Sequence, residues 1–339
     1  MRRAASRLAK RLSPALVALA VLVAGPAFAA PARCQGTDLV GVLRDEDPAR
    51  YAAFEAAGRR TPDAEGLLWR LEKPGLPPSH LFGTIHLSDD RLKPLPRAAA
   101  EAIAGARLVL VEPREVSDPQ ATAEAQMAAG RRAVRAGGGA LFRVPERDRR
   151  AVINLLAARG VPETTAQRLE PWFLAMLATA PSCEIARIDQ GEINVDQMVV
   201  EAARAAGVRV EGLEGADEQM ATLASASEDL ALRVLVDTAR LGPAFADYIE
   251  TTVNLYLDRR MGFLAAALRE FTLGGTRMIT QLDYLDSVMG ERNARMHDRS
   301  RDAFADGGVF MAVGALHLVG DDGLVERLRR DGYAVTRVW

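Results

Sequence analysis

The sequence predicts an α/β fold, with a central, mostly parallel sheet flanked by helices and a large helical insertion over about residues 117–304. Three observations carry this. Short runs that are apolar on both faces lie near both ends of the chain, as strands covered on both sides require. Helical patterns separate them, giving strand–helix–strand at the front and again at the back. The stretch between is helical in composition, with one strand-like run ending at Glu214. One intimate α/β unit with a helical subdomain follows, rather than two independent domains.

The opening residues read as a targeting segment. Arg2, Arg3, Arg7, Lys10 and Arg11 form a basic region, Pro14 to Gly25 is a short apolar run, and Ala27-Phe28-Ala29 supplies a small-x-small cleavage pattern. The apolar run is shorter than the ~20 residues of a comfortable membrane span. Residues 1–29 are therefore expected to be a signal peptide and 30–339 an exported chain, periplasmic or secreted, without a stable membrane span. Left uncleaved, the segment would retain the protein at the inner membrane. Arg33 before Cys34 argues against a lipoprotein signal. Cleavage removes five basic residues and no acidic ones, moving the formal charge from -2 to about -7. That balance argues against nucleic acid as a partner.

Cys34 and Cys183 are the only cysteines. In an oxidising compartment they are expected to form one disulfide, with two free thiols as the alternative. Such a long closed loop is worth roughly 2–4 kcal/mol when unstrained.

Residues 34–57 suggest short helices. Leu67–Leu71 and His80–His86 read as a hairpin around the turn Lys73-Pro74-Gly75-Leu76-Pro77-Pro78. A helix over 96–105 starts with Pro and ends at Gly. Ala106–Val111 is a buried strand stopped by Glu112-Pro113. Helices follow over 117–135, 145–159, 164–180 and 194–206, with Trp172 expected in the core. Val208–Glu214 is a short strand. Long helical stretches cover 217–241, 245–273 and 276–304, then a strand over Val309–Leu316, a helix over 323–330 and a last strand over 333–338.

The chemistry centres on a pattern carried twice, Gly83-Thr84-Ile85-His86-Leu87 and Gly314-Ala315-Leu316-His317-Leu318, each followed by paired acids. Four strand ends carry ligand-type groups: His86, Glu112, Glu214 and His317. If their strands are parallel, all four face one crevice, since open α/β sheets hold ligands at the carboxyl ends of strands. Two imidazoles with carboxylates suit a divalent transition metal such as Mn, Co, Zn or Fe. A remaining carboxylate can serve as general base. Gly83 and Gly314 would permit close approach. Arg292 could hold an anionic group or a developing oxyanion. Asp89, Asp90, Asp321 and Asp322 are read as helix caps, and His80 and His297 as surface residues. No Gly-x-Ser-x-Gly elbow, Walker loop, His-Glu-x-x-His or dinucleotide fingerprint is present, which weakens Ser-based hydrolysis, phosphoryl transfer and hydride transfer.

Leu-Phe-Gly-Thr-Ile-His at 81–86 and Val-Gly-Ala-Leu-His-Leu-Val-Gly at 313–320 resemble the TraB/PrgY/GumN family, which includes the animal TIKI proteins. Leu-Val-Glu at Glu112, Gly-Leu-Glu at 212–214 with Glu218-Gln219, Arg292-Asn293 and the closing stretch 323–335 are similar too. The resemblance implies a core related to erythromycin esterase and ChaN-like haem-binding proteins (EreA/ChaN-like). It also implies a metal-dependent peptidase, favouring Mn or Co, with His86, His317 and Glu112 at the centre. The expected function is an exported metal-dependent hydrolase acting on a peptide or small molecule, with Glu214 and Arg292 in support. The alternatives are a metal-independent hydrolase in which a His activates water, and a non-catalytic haem- or peptide-binding protein.

Overall fold

A computed structural model describes residues 36–114, 119–135, 137–273 and 275–339. The expected signal segment and Cys34 lie outside the described residues. The described residues begin with α1 (Leu39–Glu46) and α2 (Pro48–Gly58), capped by the carboxylates of Asp38 and Asp47. The hairpin β1 (Leu68–Glu72) and β2 (Ser79–Thr84) follows, then α3 (Arg97–Ala104) and β3 (Leu108–Pro113). Next come α4 (Pro119–Arg132), α5 (Glu146–Ala157), α6 (Glu163–Ala166), α7 (Pro171–Thr179), α8 (Ser182–Asp189) and α9 (Val195–Ala205). They lead into β4 (Arg209–Glu214). Helices α10 (Ala216–Ser225), α11 (Glu228–Leu241), α12 (Phe245–Leu257) and α13 (Leu264–Glu270) come next. A two-residue ladder, β5 (Thr272–Leu273) with β6 (Thr276–Arg277), precedes α14 (Ile279–Ala305). The chain closes with β7 (Val309–Gly314), α15 (Leu324–Arg330) and β8 (Ala334–Arg337).

The six main strands lie in the order β4-β3-β7-β2-β1-β8. The first four are mutually parallel, and β1 runs antiparallel to both of its neighbours. Both faces are covered, so the inner strands are apolar throughout but still alternate in what they touch. Val109, Val111, Phe310 and Ala312 enter one core with Phe82. Leu108, Leu110, Val309, Met311 and Val313 enter the other, against Met296 and Phe304 of α14. The insertion builds a third core from α5, α7 and α11, with Trp172 buried in it as expected.

Several boundaries differ from the sequence reading. Residues 217–241 form two helices because the Ser227 hydroxyl caps α11 by accepting from Leu230 N. The stretch 245–273 is likewise interrupted, at a 3-10 turn over Met261–Phe263. His80 lies within β2 and is partly covered, and His297 is mostly buried against Asp331, so neither is a simple surface residue. Asp89 caps a 3-10 turn over Asp90–Leu92 as expected. Asp321 and Asp322 do not cap α15: its N-cap is Gly323, with no side-chain cap bond.

Asp89 also fastens the loop after His86 to the insertion. Its carboxylate accepts from Arg91 and from Arg187 of α8, while the Glu184 carboxylate accepts from Ser88 N. Burial opposes the Asp89 charge, but these donors prevail and hold it down at about 2 against an ordinary 3.8. A depressed carboxyl contributes stability above its unfolded value and loses it as pH falls toward the folded one, here roughly 2 kcal/mol. Urea unfolding of Asp89→Asn should show about that loss at neutral pH and a shallower decline from about pH 4 to pH 2 than the parent chain. Parallel pH profiles would contradict the assignment.

Candidate functional site

Strand register sets the site. Thr84 of β2 pairs with Gly314 of β7, and Pro113 of β3 pairs with Glu214 of β4. His86, His317, Glu112 and Glu214 therefore come from four contiguous parallel strands at their carboxyl ends, as the sequence required. His317 is not on the strand itself: β7 stops at Gly314, and a 3-10 turn over Ala315–His317 carries the ring back over the sheet edge.

That turn explains both motif glycines. A methyl group on Gly83 would lie 2.9 Å from Ala315 Cβ and 3.2 Å from Leu318 Cδ2. On Gly314 it would lie 3.2 Å from Glu112 Oε1, 3.6 Å from His317 Cδ2 and 3.9 Å from His86 Nε2. The space over Gly314 is thus where the two imidazoles and the carboxylate meet.

Each imidazole is held by its Nδ1. His86 Nδ1 donates to Asp196 Oδ2 at 2.7 Å, and Asp196 Oδ1 accepts from Thr84 Oγ1 at 2.6 Å. Asn293 Nδ2 donates to the Asp322 carbonyl, which fixes the amide so that its Oδ1 faces His317 Nδ1 at 2.5 Å. With both Nδ1 atoms committed as donors, each Nε2 keeps a lone pair, unless a proton is added. His317 Nε2 lies 3.7 Å from Glu112 Oε1. The rings differ in access: the His86 side chain is 62% exposed and that of His317 4%.

Glu112 is gripped at both oxygens, Oε1 by Gly314 N at 2.5 Å and Oε2 by Arg292 Nη2 at 2.7 Å. Glu214 is fully buried. Its Oε2 accepts from Arg292 Nε at 2.9 Å and Nη2 at 2.8 Å, and its Oε1 from Arg295 Nε at 2.8 Å. Its carboxylate is thereby occupied in orienting Arg292. Helical spacing on α14 delivers these groups, with Arg292 and Arg295 toward β4 and Asn293, Met296 and Ser300 on the buried face.

The electrostatics separate the two rings. The Asp196 carboxylate, aided by Glu112, raises His86 to about 9. Burial lowers His317 to about 4, Glu112 opposing. Burial pushes Glu112 up, but His317, His86, Arg292 and the Gly314 N–H outweigh it and hold the carboxyl at about 2. At neutral pH these directions give a carboxylate Glu112, a neutral His317 and a protonated His86.

All the residues expected from the sequence except the cysteine pair are brought together here. Sequence reasoning missed Asp196, Thr84 and Arg295. Asp196 sits in the first turn of α9, behind an Asn194–Gln197 capping box, where an acid ordinarily reads as complementing the helix dipole. Two imidazole nitrogens, one of them available only once His86 gives up its proton, and a carboxylate match a divalent cation in donor type. Among the described residues, no three His, Cys, Asp or Glu side chains are gathered in a metal-holding arrangement, and Glu112 spends both oxygens on other donors.

Fold and site together define an α/β protein with a two-histidine, one-carboxylate centre at the carboxyl edge of its parallel strands. The chain belongs to the TraB/PrgY/gumN family, whose model matches residues 67–337, from β1 to β8, and so spans the whole site. It is similar to proteins named "Uncharacterized protein YbaP" from Shigella flexneri and from Escherichia coli (strain K12). Each is 27% identical over 256 residues, covering 76% of this chain and 89% of the relative. No solved structure matches the chain.

Proton NMR of the metal-free protein should place His86 near 9, and Asp196→Asn should return it to its ordinary 6.5 or below. A His86 titration unmoved by that substitution would break the pair.

Proposed function

We propose that this chain is an exported, metal-dependent hydrolase of peptide-like substrates, with His86, His317 and Glu112 as the groups that would hold the metal. The observation that carries the reading is that both histidines are fixed through Nδ1, by Asp196 and Asn293, with His317 Nε2 at 3.7 Å from Glu112 Oε1 and His86 Nε2 bordering the same space over Gly314 as that oxygen. This is how metal-binding histidines are ordinarily oriented. A divalent cation there supplies Lewis-acid polarisation of a carbonyl and activation of water.

The chain's own residues do the rest. Arg292 balances Glu112 and fixes its plane, and Glu214 with Arg295 fixes Arg292. The exposed His86 ring meets substrate first, and Asp196 steadies whichever charge it carries. Buried His317 excludes water from the back of the centre. The resemblance to TIKI proteins supports a peptide bond as target, and the terminal basic and apolar segment supports export.

Metal analysis of the purified chain beside His86→Ala and His317→Ala is the direct test. Bound Mn, Co or Zn in the parent chain and its loss in both variants is expected, and equal metal content in all three removes the site. A second reading, hydrolysis by histidine without metal, is favoured by the engagement of Glu112 with Arg292; neutral His317 would take the proton from water, since a protonated His86 cannot. Full peptidase or esterase activity after exhaustive chelation would select it.

A Cys34–Cys183 disulfide belongs to the same proposal. Gly36 packs so closely on Ala246 that a methyl there would lie 2.1 Å from its carbonyl oxygen, and Cys183 lines a groove with Ala246 and Ile249. Gly36, two residues after Cys34 in sequence, therefore packs on the same Ala246 that borders the groove with Cys183. Mass spectrometry after alkylation should find no free thiol without reduction and two with it. Two alkylated cysteines in the native protein would refute the bridge.

A further inference from the structure

A second cavity, of about 440 Å³, lies at the opposite edge of the sheet from the histidine centre. Its walls come from the turn before β2, the last turns of α14 before β7 and the segment between α15 and β8, all of which meet the amino-terminal ends of the parallel strands. Lys73, His297, Ser300, Arg301, Phe304 and Tyr333 line it.

The charges in it are unbalanced. Lys73 Nζ donates to the Asp331 carbonyl at 3.0 Å and stands over the Tyr333 ring at 4.9 Å, without a carboxylate partner among the described residues. Arg301 is exposed on the cavity wall and has no ion pair among the described residues. The acid facing them, Asp331, already accepts from His297 Nε2 at 2.8 Å. Asp298 approaches the other side of that ring at 3.6 Å and is itself 71% exposed, in solvent rather than in the cavity lining. Ser300 turns its hydroxyl to the His297 carbonyl. Two cations therefore face one committed carboxylate, beside an apolar wall of Leu328, Phe304 and Tyr333.

We propose that this cavity binds a small organic anion, its carboxylate or phosphate between Lys73 and Arg301 and its apolar remainder against Phe304, Leu328 and Tyr333. Paired cations give charge-assisted hydrogen bonds to such a group, and the volume exceeds what a bare oxyanion fills. The proposal is independent of the chemistry at the histidine centre. Arg292 and Asn293 of that centre and His297 and Arg301 of this one share α14, so one rigid element touches both.

Calorimetric titration of the full chain at low salt tests it, with inorganic phosphate, acetate and benzoate as probes. Saturable one-site binding is expected for phosphate and benzoate, with benzoate tighter than acetate. Arg301→Gln and Lys73→Met should each weaken it roughly tenfold. Both side chains are exposed, so both variants should keep the parent melting profile. No saturable heat with phosphate or benzoate, or undiminished binding in both variants, overturns the site.

Discussion

The centre depends on one carboxylate held between a backbone amide and a guanidinium. Glu112 takes the Gly314 N–H on one oxygen and Arg292 on the other. The first bond ties β3 to the end of β7, where the turn bearing His317 begins. The second ties β3 to α14, which supplies Asn293 to the same histidine. A buried carboxylate is costly unless its lone pairs are met by charge and hydrogen bonds, and Glu112 has both. Loss of that carboxylate would leave Arg292 with only Glu214 and would free the Gly314 amide, so the position links sheet, turn and helix together.

The two histidines come from one repeated pattern but occupy unlike environments. His86 follows its strand into an open loop and pairs with a full carboxylate, so it tends to carry charge. His317 is folded back by a 3-10 turn, buried, and paired with a neutral amide, so it tends not to. The difference arises from the third residue group around each ring, Asp196 against Asn293, rather than from the motif. A site built this way presents one ring to solvent and keeps the other as a fixed wall.

Much of this was legible in the sequence, for physical reasons. A strand buried on both faces must be apolar along its length, so β2, β3 and β7 stand out, and the first polar residues after them mark the sheet edge. His86, Glu112, Glu214 and His317 were found that way, and parallel pairing of their strands made them neighbours. Asp196 was not found, because an acid at the start of a helix has a sufficient local explanation. Which face it turns to β2 is decided only by packing of α9. The role of Glu214 was likewise hidden, since two arginines 78 and 81 positions away fill its carboxylate. The break between α10 and α11 depends on one serine cap inside an otherwise helical pattern, and the paired acids after His317 lost their capping role to Gly323.

The place of β7 has a consequence for how the chain comes into being. It is the middle of the parallel set, wedged between β3 and β2, yet roughly nine-tenths of the chain precedes it. Until Val309–Gly314 has been synthesised, β2 and β3 have no common neighbour and the first core lacks Phe310 and Ala312. A nascent chain on the ribosome is therefore denied its sheet almost to the last residue, and pairings so distant in sequence form slowly. The architecture itself withholds closure of the sheet until almost the whole polypeptide has been made.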